Sequence, residues 1–458
     1  MTTSIVRDFT TVAEITIDPA TARVFENGWQ SWSPTSWYRV GEPAFRPVTH
    51  RNQLICYRPE VTAPLDEYWG EGILAVSAGP EGPSHVIGAT DITGRVPSIR
   101  ARVVPGTLTR LVISADGPVS ITSFETSGER ALASWAERLA RKSGVGRVAD
   151  SPTLWSHWYH YFNNLDSGDI RENLDAMERL ELDVDVVAID DGYQTGIGDW
   201  LDFTPGFADF PDLMREIQDR GRRAGVWMAP WLVGEKSQLA AAHPDWLVRG
   251  ANDEPIRACH NWHQEQYALD TTHPDAADWL RSTVRQFASW GIDFYKLDFI
   301  FAGAIEGRRH DDVDGVTAYR RGLELVREGM GPDGYLLACG APMLPSIGMV
   351  DSMRVSADID RRYAPSDGDL SQPSQQGAVL SGVGRAFMHG RFWANDADCL
   401  TVGVDVERRE EWASHVRRYT GLRGSSDRLG QLDDWGIDTT RQLLRQPAPE
   451  VLIDAADA

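Results

Sequence analysis

The chain has 458 residues, 42% of them hydrophobic and 24% charged, and carries a formal charge of -22. Such totals describe an ordinary globular protein with two or three domains, or one large barrel and a smaller unit. So acidic a balance argues against a nucleic-acid partner and an anionic membrane surface, and favours a neutral or cationic ligand.

Four cysteines (Cys56, Cys259, Cys339, Cys399) are scattered without metal-ligand spacing, so a disulfide scaffold is not expected and a reducing compartment is. The opening MTTSIVRDFTTVAEITIDPA has no basic region followed by an apolar one, and no run reaches the roughly 18 apolar residues of a membrane span. These features predict a cytoplasmic protein. Tryptophan is in excess at 17 residues; its commonest fate is the core, but its ring also stacks on sugars.

Residues 1–148 read as an antiparallel β unit. Alternating runs such as RARVVPGTLTRLVISA and PSHVIGATDI are broken by Gly and Pro. An amphipathic stretch over 127–144 predicts a helix that links this unit to the next. From 149 to 445, short apolar runs alternate with helical stretches. The runs are LWSHWYHYF, DVVAIDD, AGVWMAPW, QYALD, IDFYKLDF, YLLACGAP, DSMRVSAD and RAFMHGRFWANDAD. Eight such runs predict a (β/α)8 barrel, an α/β fold of parallel strands. Asp169, Asp212 and Asp275 stand where a carboxylate meets the free N–H groups of a helix start. The last helical stretches are expected to close the barrel. Residues 446–458 form a tail that reads as loosely held, and no C-terminal β-sandwich is expected.

The polar residues collect at the C-terminal ends of these runs, the catalytic face of a barrel. In order they are Asp190 and Asp191, Trp227 and Trp231, Asp270, Lys296 and Asp298, Cys339, Arg354 and Asp358, and then Asn395, Asp396 and Asp398. Any one alone is a helix cap or turn former; the agreement of so many ends points to a pocket. Lys296 and Asp298 are two apart on the expected fifth strand and so share a face. A lysine beside it favours an ionised carboxylate, which can attack carbon. Asp358, on the expected seventh strand, is a second carboxyl in different surroundings, with Asp360 as its rival for the acid/base role. In retaining glycosidases such carboxyls lie about 5–5.5 Å apart. His157 and His160, three apart, lack the spacing for a shared metal, so no metal or other cofactor is expected. No Gly-x-Ser-x-Gly elbow or dinucleotide fingerprint occurs.

With these residues in place, the chain resembles the retaining α-galactosidases of glycoside hydrolase family 36. The resemblance rests on WSHWYHYF, DDGYQTGIGDW, GVWMAPW, YALD, YKLDFIFAGAIEG, LACGAP, MRVSAD and FMHGRFWANDADCL, and on NGWQSWSP (27–34) in the β unit. It implies Asp298 as the nucleophile and Asp358 as the acid/base. Asp190 and Asp191 would hold the galactose 4- and 6-hydroxyls, for which the strand must twist or end there. Lys296 and Arg354 would donate to ring hydroxyls, and Trp158, Tyr159 and Trp227 would wall the sugar. Cys339 would lie near the 2-hydroxyl, and Trp32 would overhang the entrance, from this subunit or a neighbouring one. The implied activity is exo-hydrolysis of a small α-galactoside, without nucleic acid or membrane and with room for a homo-oligomer. Alternatives are a transglycosylase or an α-N-acetylgalactosaminidase of the same family, and, in another class, a non-enzymatic sugar-binding protein. Where the family often has Gly-Pro before the acid/base Asp, this chain has Ser-Ala.

Overall fold

The computed structural model describes residues 8–77 and 83–455. Residues 1–7, on which part of the leaderless reading of the N-terminus rests, lie outside it. Among the described residues no helix is long and apolar enough to cross a membrane.

The β unit is a sandwich of two antiparallel sheets. One has four strands, in the order Thr10–Thr16, Arg110–Ala115, Ser98–Val104, Tyr68–Glu71. The other has five, in the order Ser36–Arg39, Arg23–Glu26, Ile73–Ser77, Ser84–Ala89, Val119–Phe124. Alternation along the strands sends Ile15, Val24, Leu74, Ile87, Ile99 and Ile113 into the space between the sheets. The expected linking helix spans Gly128–Lys142, and the Ser127 side chain caps it by accepting from Arg130 N–H. Its Trp135 presses on the outer face of the five-stranded sheet at Gly88, where any Cβ would lie 2.5 Å from the indole nitrogen.

Eight parallel strands make the barrel. In chain order they are Thr153–Ser156, Val186–Ile189, Arg223–Met228, Ile292–Leu297, Tyr335–Ala338, Ser352–Arg354, Ala394–Asp396 and Arg423–Ser425. The eighth pairs with the first. The seam between seventh and eighth is bridged where Gly421 and Leu422 N–H donate to the Asn395 carbonyl at 2.7 and 3.1 Å.

Two expectations are corrected here. QYALD is not a barrel strand. Gln264–Ala268 is the middle of a three-stranded antiparallel sheet with Leu232–Gly234 and Arg257–Asn261, inserted between the third and fourth barrel strands. The physical reason is visible in its side chains. Barrel strands are buried on both faces and read as continuous apolar runs, whereas QEQYA opens with three polar residues and buries only Gln266 and Ala268, on one face. The true eighth strand is RGS, between the last two long helices rather than before them. The catalytic candidates therefore sit one strand earlier than expected: Lys296 on the fourth with Asp298 just after it, Cys339 after the fifth, Arg354 on the sixth. The tail is also tied down. Arg423 donates to the Pro447 carbonyl at 2.6 Å and Arg391 to that of Ile453 at 2.7 Å, while a His389 ring nitrogen lies 2.8 Å from the Pro449 carbonyl oxygen.

Candidate active site

The second barrel strand ends at Ile189, so Asp190 and Asp191 leave it in a turn rather than on opposite faces of a strand, and both are buried. The Lys296 ammonium donates to Asp190 Oδ2 at 2.8 Å, and Ser156 donates to the same oxygen at 3.2 Å. Burial would raise this carboxyl, but Lys296 beside it holds it below the ordinary carboxylate range. Lys296 itself stays protonated well above its usual value: burial opposes the charge, and Asp190 and Asp298 outweigh it. Asp191 goes the other way. Burial raises its carboxyl, although Trp262 Nε1–H and Gln194 Nε2–H donate to its two oxygens at 2.7 and 2.6 Å.

Asp298 follows the fourth strand and is buried. Its Oδ2 accepts from Trp227 Nε1–H at 3.0 Å and lies 3.9 Å from Lys296 Nζ; its Oδ1 accepts the Phe299 N–H at 2.9 Å. Phe299 has a φ of 51°, a left-handed conformation that a bulky residue adopts only under constraint and that is concentrated at functional sites. Lys296 is thus bonded to Asp190 rather than to its strand neighbour Asp298.

Asp358 sits in the loop after the sixth strand with its side chain 30% exposed, and Arg354 donates to its Oδ1 at 2.8 Å. Its carboxyl is raised, first by burial; Arg354 pulls it down and the negative Asp298 pushes it up. Asp360, the rival, hydrogen-bonds the backbone and guanidinium of Arg362, which hold it below the usual range despite partial burial. It is the poorer proton donor of the two.

Arg354 is buried and committed to carboxylates: Asp396 at 3.1 Å and Asp398 at 2.9 Å besides Asp358. Its expected role as a donor to ring hydroxyls therefore competes with three acids. Cys339 is fully buried among Asp298, Arg354, Asp358 and Lys296, and burial pushes its thiol well above its usual value, which suits a wall rather than a nucleophile. Trp158 and Tyr159 line a small cavity at the barrel centre with Asp190, Lys296 and Arg354. The Tyr159 hydroxyl donates to Asp398, behind Arg354. Trp32 reaches the site within its own chain: it is buried edge-on to Phe299, centroids 4.7 Å apart. Asp270 accepts from Thr272 and from His310 N–H and shapes its loop.

Sequence reading missed Trp262, Gln194 and the tie between Arg354 and the Asp396–Asp398 pair. The two aspartates were visible as polar strand ends. CHNWHQ holds no Asn-Gly or Asp-Gly pair, so nothing in it announces the two-residue turn that carries Trp262.

The fold defines the class, a (β/α)8 barrel with an N-terminal β-sandwich and a cluster of buried acids at the strand ends. The sequence model of the Melibiase family matches residues 114–323. An alpha-galactosidase from Thermus thermophilus, solved with p-nitrophenyl alpha-D-galactopyranoside, superimposes with a TM-score of 0.80 at 26% identity, covering 98% of this chain and 91% of that one. Alpha-galactosidase AgaA from Geobacillus stearothermophilus is 29% identical over 208 residues, 42% of this chain. An alpha-xylosidase, XylQ, from Lactiplantibacillus pentosus is 28% identical over 312 residues, 62% of this chain. The matched regions span only 26% and 39% of those two relatives' lengths. These likenesses set the chain beside the melibiase-type alpha-galactosidases.

Proposed function

We propose that the chain is a retaining exo-α-galactosidase acting on small α-galactosides. The observation that carries it is the division between two carboxyls in one charged cluster. Asp298 is held by Trp227, the Phe299 N–H and nearby Lys296, a setting for an anion. Asp358 is raised by burial and by the charge of Asp298, a setting for a proton. Arg354 occupies Asp358 Oδ1, which leaves Oδ2 to carry that proton.

In this reading Asp358 Oδ2–H protonates the glycosidic oxygen while an Asp298 oxygen attacks the anomeric carbon. The C–O bond to the leaving group breaks as the galactosyl ester forms. Asp358, now a carboxylate, takes a proton from water, whose oxygen displaces Asp298 with net retention. Asp190 and Asp191 supply acceptors for hydroxyls of the sugar, and an axial 4-hydroxyl matched to them would be lost in the equatorial epimer. The Thermus relative, bound to a galactoside, supports this substrate class. A reducing, cytoplasmic setting belongs to the same proposal, supported by four buried free cysteines.

The test is hydrolysis of 4-nitrophenyl α-galactoside beside the α-xyloside, with NMR of the first anomer released. We expect the galactoside to be preferred, α-galactose to appear first, and Asp298→Ala to lose at least about 10³-fold in kcat while still binding galactose. Near-wild-type turnover by Asp298→Ala would remove the nucleophile; β-galactose first would remove retention.

A further inference from the structure

The hairpin inserted after the third barrel strand turns on two residues. Asn261 pairs with Gln264, so Trp262 and His263 form the whole loop, with φ of 50° and 56°. A two-residue turn with both φ positive ordinarily takes Asn-Gly, because side chains strain there. This chain spends that position on a tryptophan. The hairpin is anchored away from its tip: Glu235 N–H donates to the Glu265 carbonyl at 3.0 Å, Lys236 N–H to Gln264 Oε1 at 2.8 Å, and the helix His50–Cys56 of the β unit packs on Arg257–Asn261. The half-buried indole is thereby delivered to the site. Its Nε1–H donates to Asp191 Oδ2 at 2.7 Å, and its ring packs on Trp227 and Phe299, centroids 6.2 and 5.2 Å away. Those two residues also touch the nucleophile Asp298.

We propose that Trp262 is a positioning residue for sugar recognition: its indole N–H fixes the Asp191 carboxylate so that the lone pairs left free by Trp262 and Gln194 meet the sugar's hydroxyls. A carboxylate offers about four acceptor positions, and these two donors occupy one on each oxygen. Without the indole N–H, the Oδ2 side loses its partner, and the group can turn about its last bond. The groups facing Asp191 are Asp190, Asp298 and Tyr193, with Lys296 one bond beyond on Asp190. Two of these are acids, so losing a donor also favours protonation of Asp191, the form that accepts poorly. The inference rests on the α-galactosidase reading.

The experiment compares the wild type with Trp262→Phe, Trp262→Gln and His263→Gly on 4-nitrophenyl α-galactoside, with circular dichroism to follow folding. Trp262→Phe keeps a ring and removes the N–H. It should raise KM about tenfold with kcat within about twofold, and move the acid limb of kcat/KM to higher pH. Trp262→Gln restores an N–H of similar reach and should bring that limb back toward the wild type. His263→Gly relieves the turn without touching Asp191 and should leave KM and the limb unchanged. An unchanged KM and acid limb in Trp262→Phe would overturn the proposal. So would a Trp262→Gln limb lying with Trp262→Phe, which would assign the effect to the ring alone. A wild type inactive on the galactoside would instead overturn the parent reading.

Discussion

A lysine on a core strand is costly unless its charge is used, and here it is shared. Lys296 answers Asp190 at 2.8 Å and Asp298 at 3.9 Å, and all three are buried. Removing the ammonium alone strands two carboxylates, so Lys296→Met should lower unfolding free energy by about 3–5 kcal/mol. Adding Asp190→Asn should restore part of that, an interaction that urea denaturation of the double-mutant cycle would read. The pH dependence follows from the directions of the shifts. Asp190 is lowered on folding, so its stabilisation is present above its unfolded value of about 3.9 and is lost as pH falls through the folded one. Lys296 is raised, so its share is lost only as pH climbs above about 10.4 through its folded value. The gap between wild type and Lys296→Met should therefore be widest near neutrality and narrow on acidification. Under the proposed α-galactosidase reading, in which Asp358 is the acid, activity has the opposite sign. The acid must carry its proton, its carboxyl is raised, and kcat/KM should fall as pH rises through that value. Substituting Arg354 by Gln removes the charge that lowers Asp358, and the alkaline limb should move to higher pH; a fixed limb would take Asp358 out of the acid role.

Among the elements, the segment Trp29–Ser33 joins sandwich to barrel. Ser31 N–H donates to the Ala341 carbonyl at 3.0 Å and Met343 N–H to that of Trp29 at 2.9 Å. Arg385, fully buried, donates to the carbonyls of Ser31, Val355, Gln30 and Ser33 at 2.6–3.0 Å. Burial pushes its guanidinium down to about 9. Its planar fork fits that cluster as an ammonium cannot. Arg385→Lys should cost nearly as much stability as Arg385→Met, at least about 3 kcal/mol, because either leaves buried carbonyls unpaired; a Lys variant at wild-type stability by urea titration would contradict the clasp. Nothing in GVGRAFMHG announces this arginine, since three of its four partners are backbone carbonyls some 350 residues away in the chain. The legible elements were those whose own side chains raise the question. IDFYKLDF is a doubly buried strand carrying Lys and Asp, and GVTAYRRGLELVREGM, the helix Gly315–Met330, shows a 3.6-residue apolar period in its own sequence. QYALD misled because an apolar run followed by a helix imitates a βα unit. RGS was invisible because its pairing is main-chain and its residues carry no apolar signal. Trp262 was invisible because its place over Asp191 depends on a turn whose residues break the turn's own rule.

At the scale of the whole molecule, sandwich and barrel share one hydrophobic core. A single connected cluster runs from Phe25, Trp29, Trp32 and Ile73 of the sandwich, through Trp135 of the linking helix, to barrel residues such as Leu297, Met343 and Phe387. Arg391 closes a further tie, pairing with Glu137 of that helix at 3.0 Å and donating to Ile453 in the tail. Cutting the chain at the linker would expose the Trp32 side of this core and empty the carbonyl cluster around Arg385. A fragment starting at 149 should therefore not reach the native near-ultraviolet spectrum. For the intact chain we expect one calorimetric transition with a ratio of calorimetric to van't Hoff enthalpy of about 1, although chains of this length commonly unfold in stages. Two resolved peaks, with activity lost at the first and barrel structure at the second, would show that the sandwich unfolds independently and that the contacts of Trp32 and Arg385 do not couple the two parts.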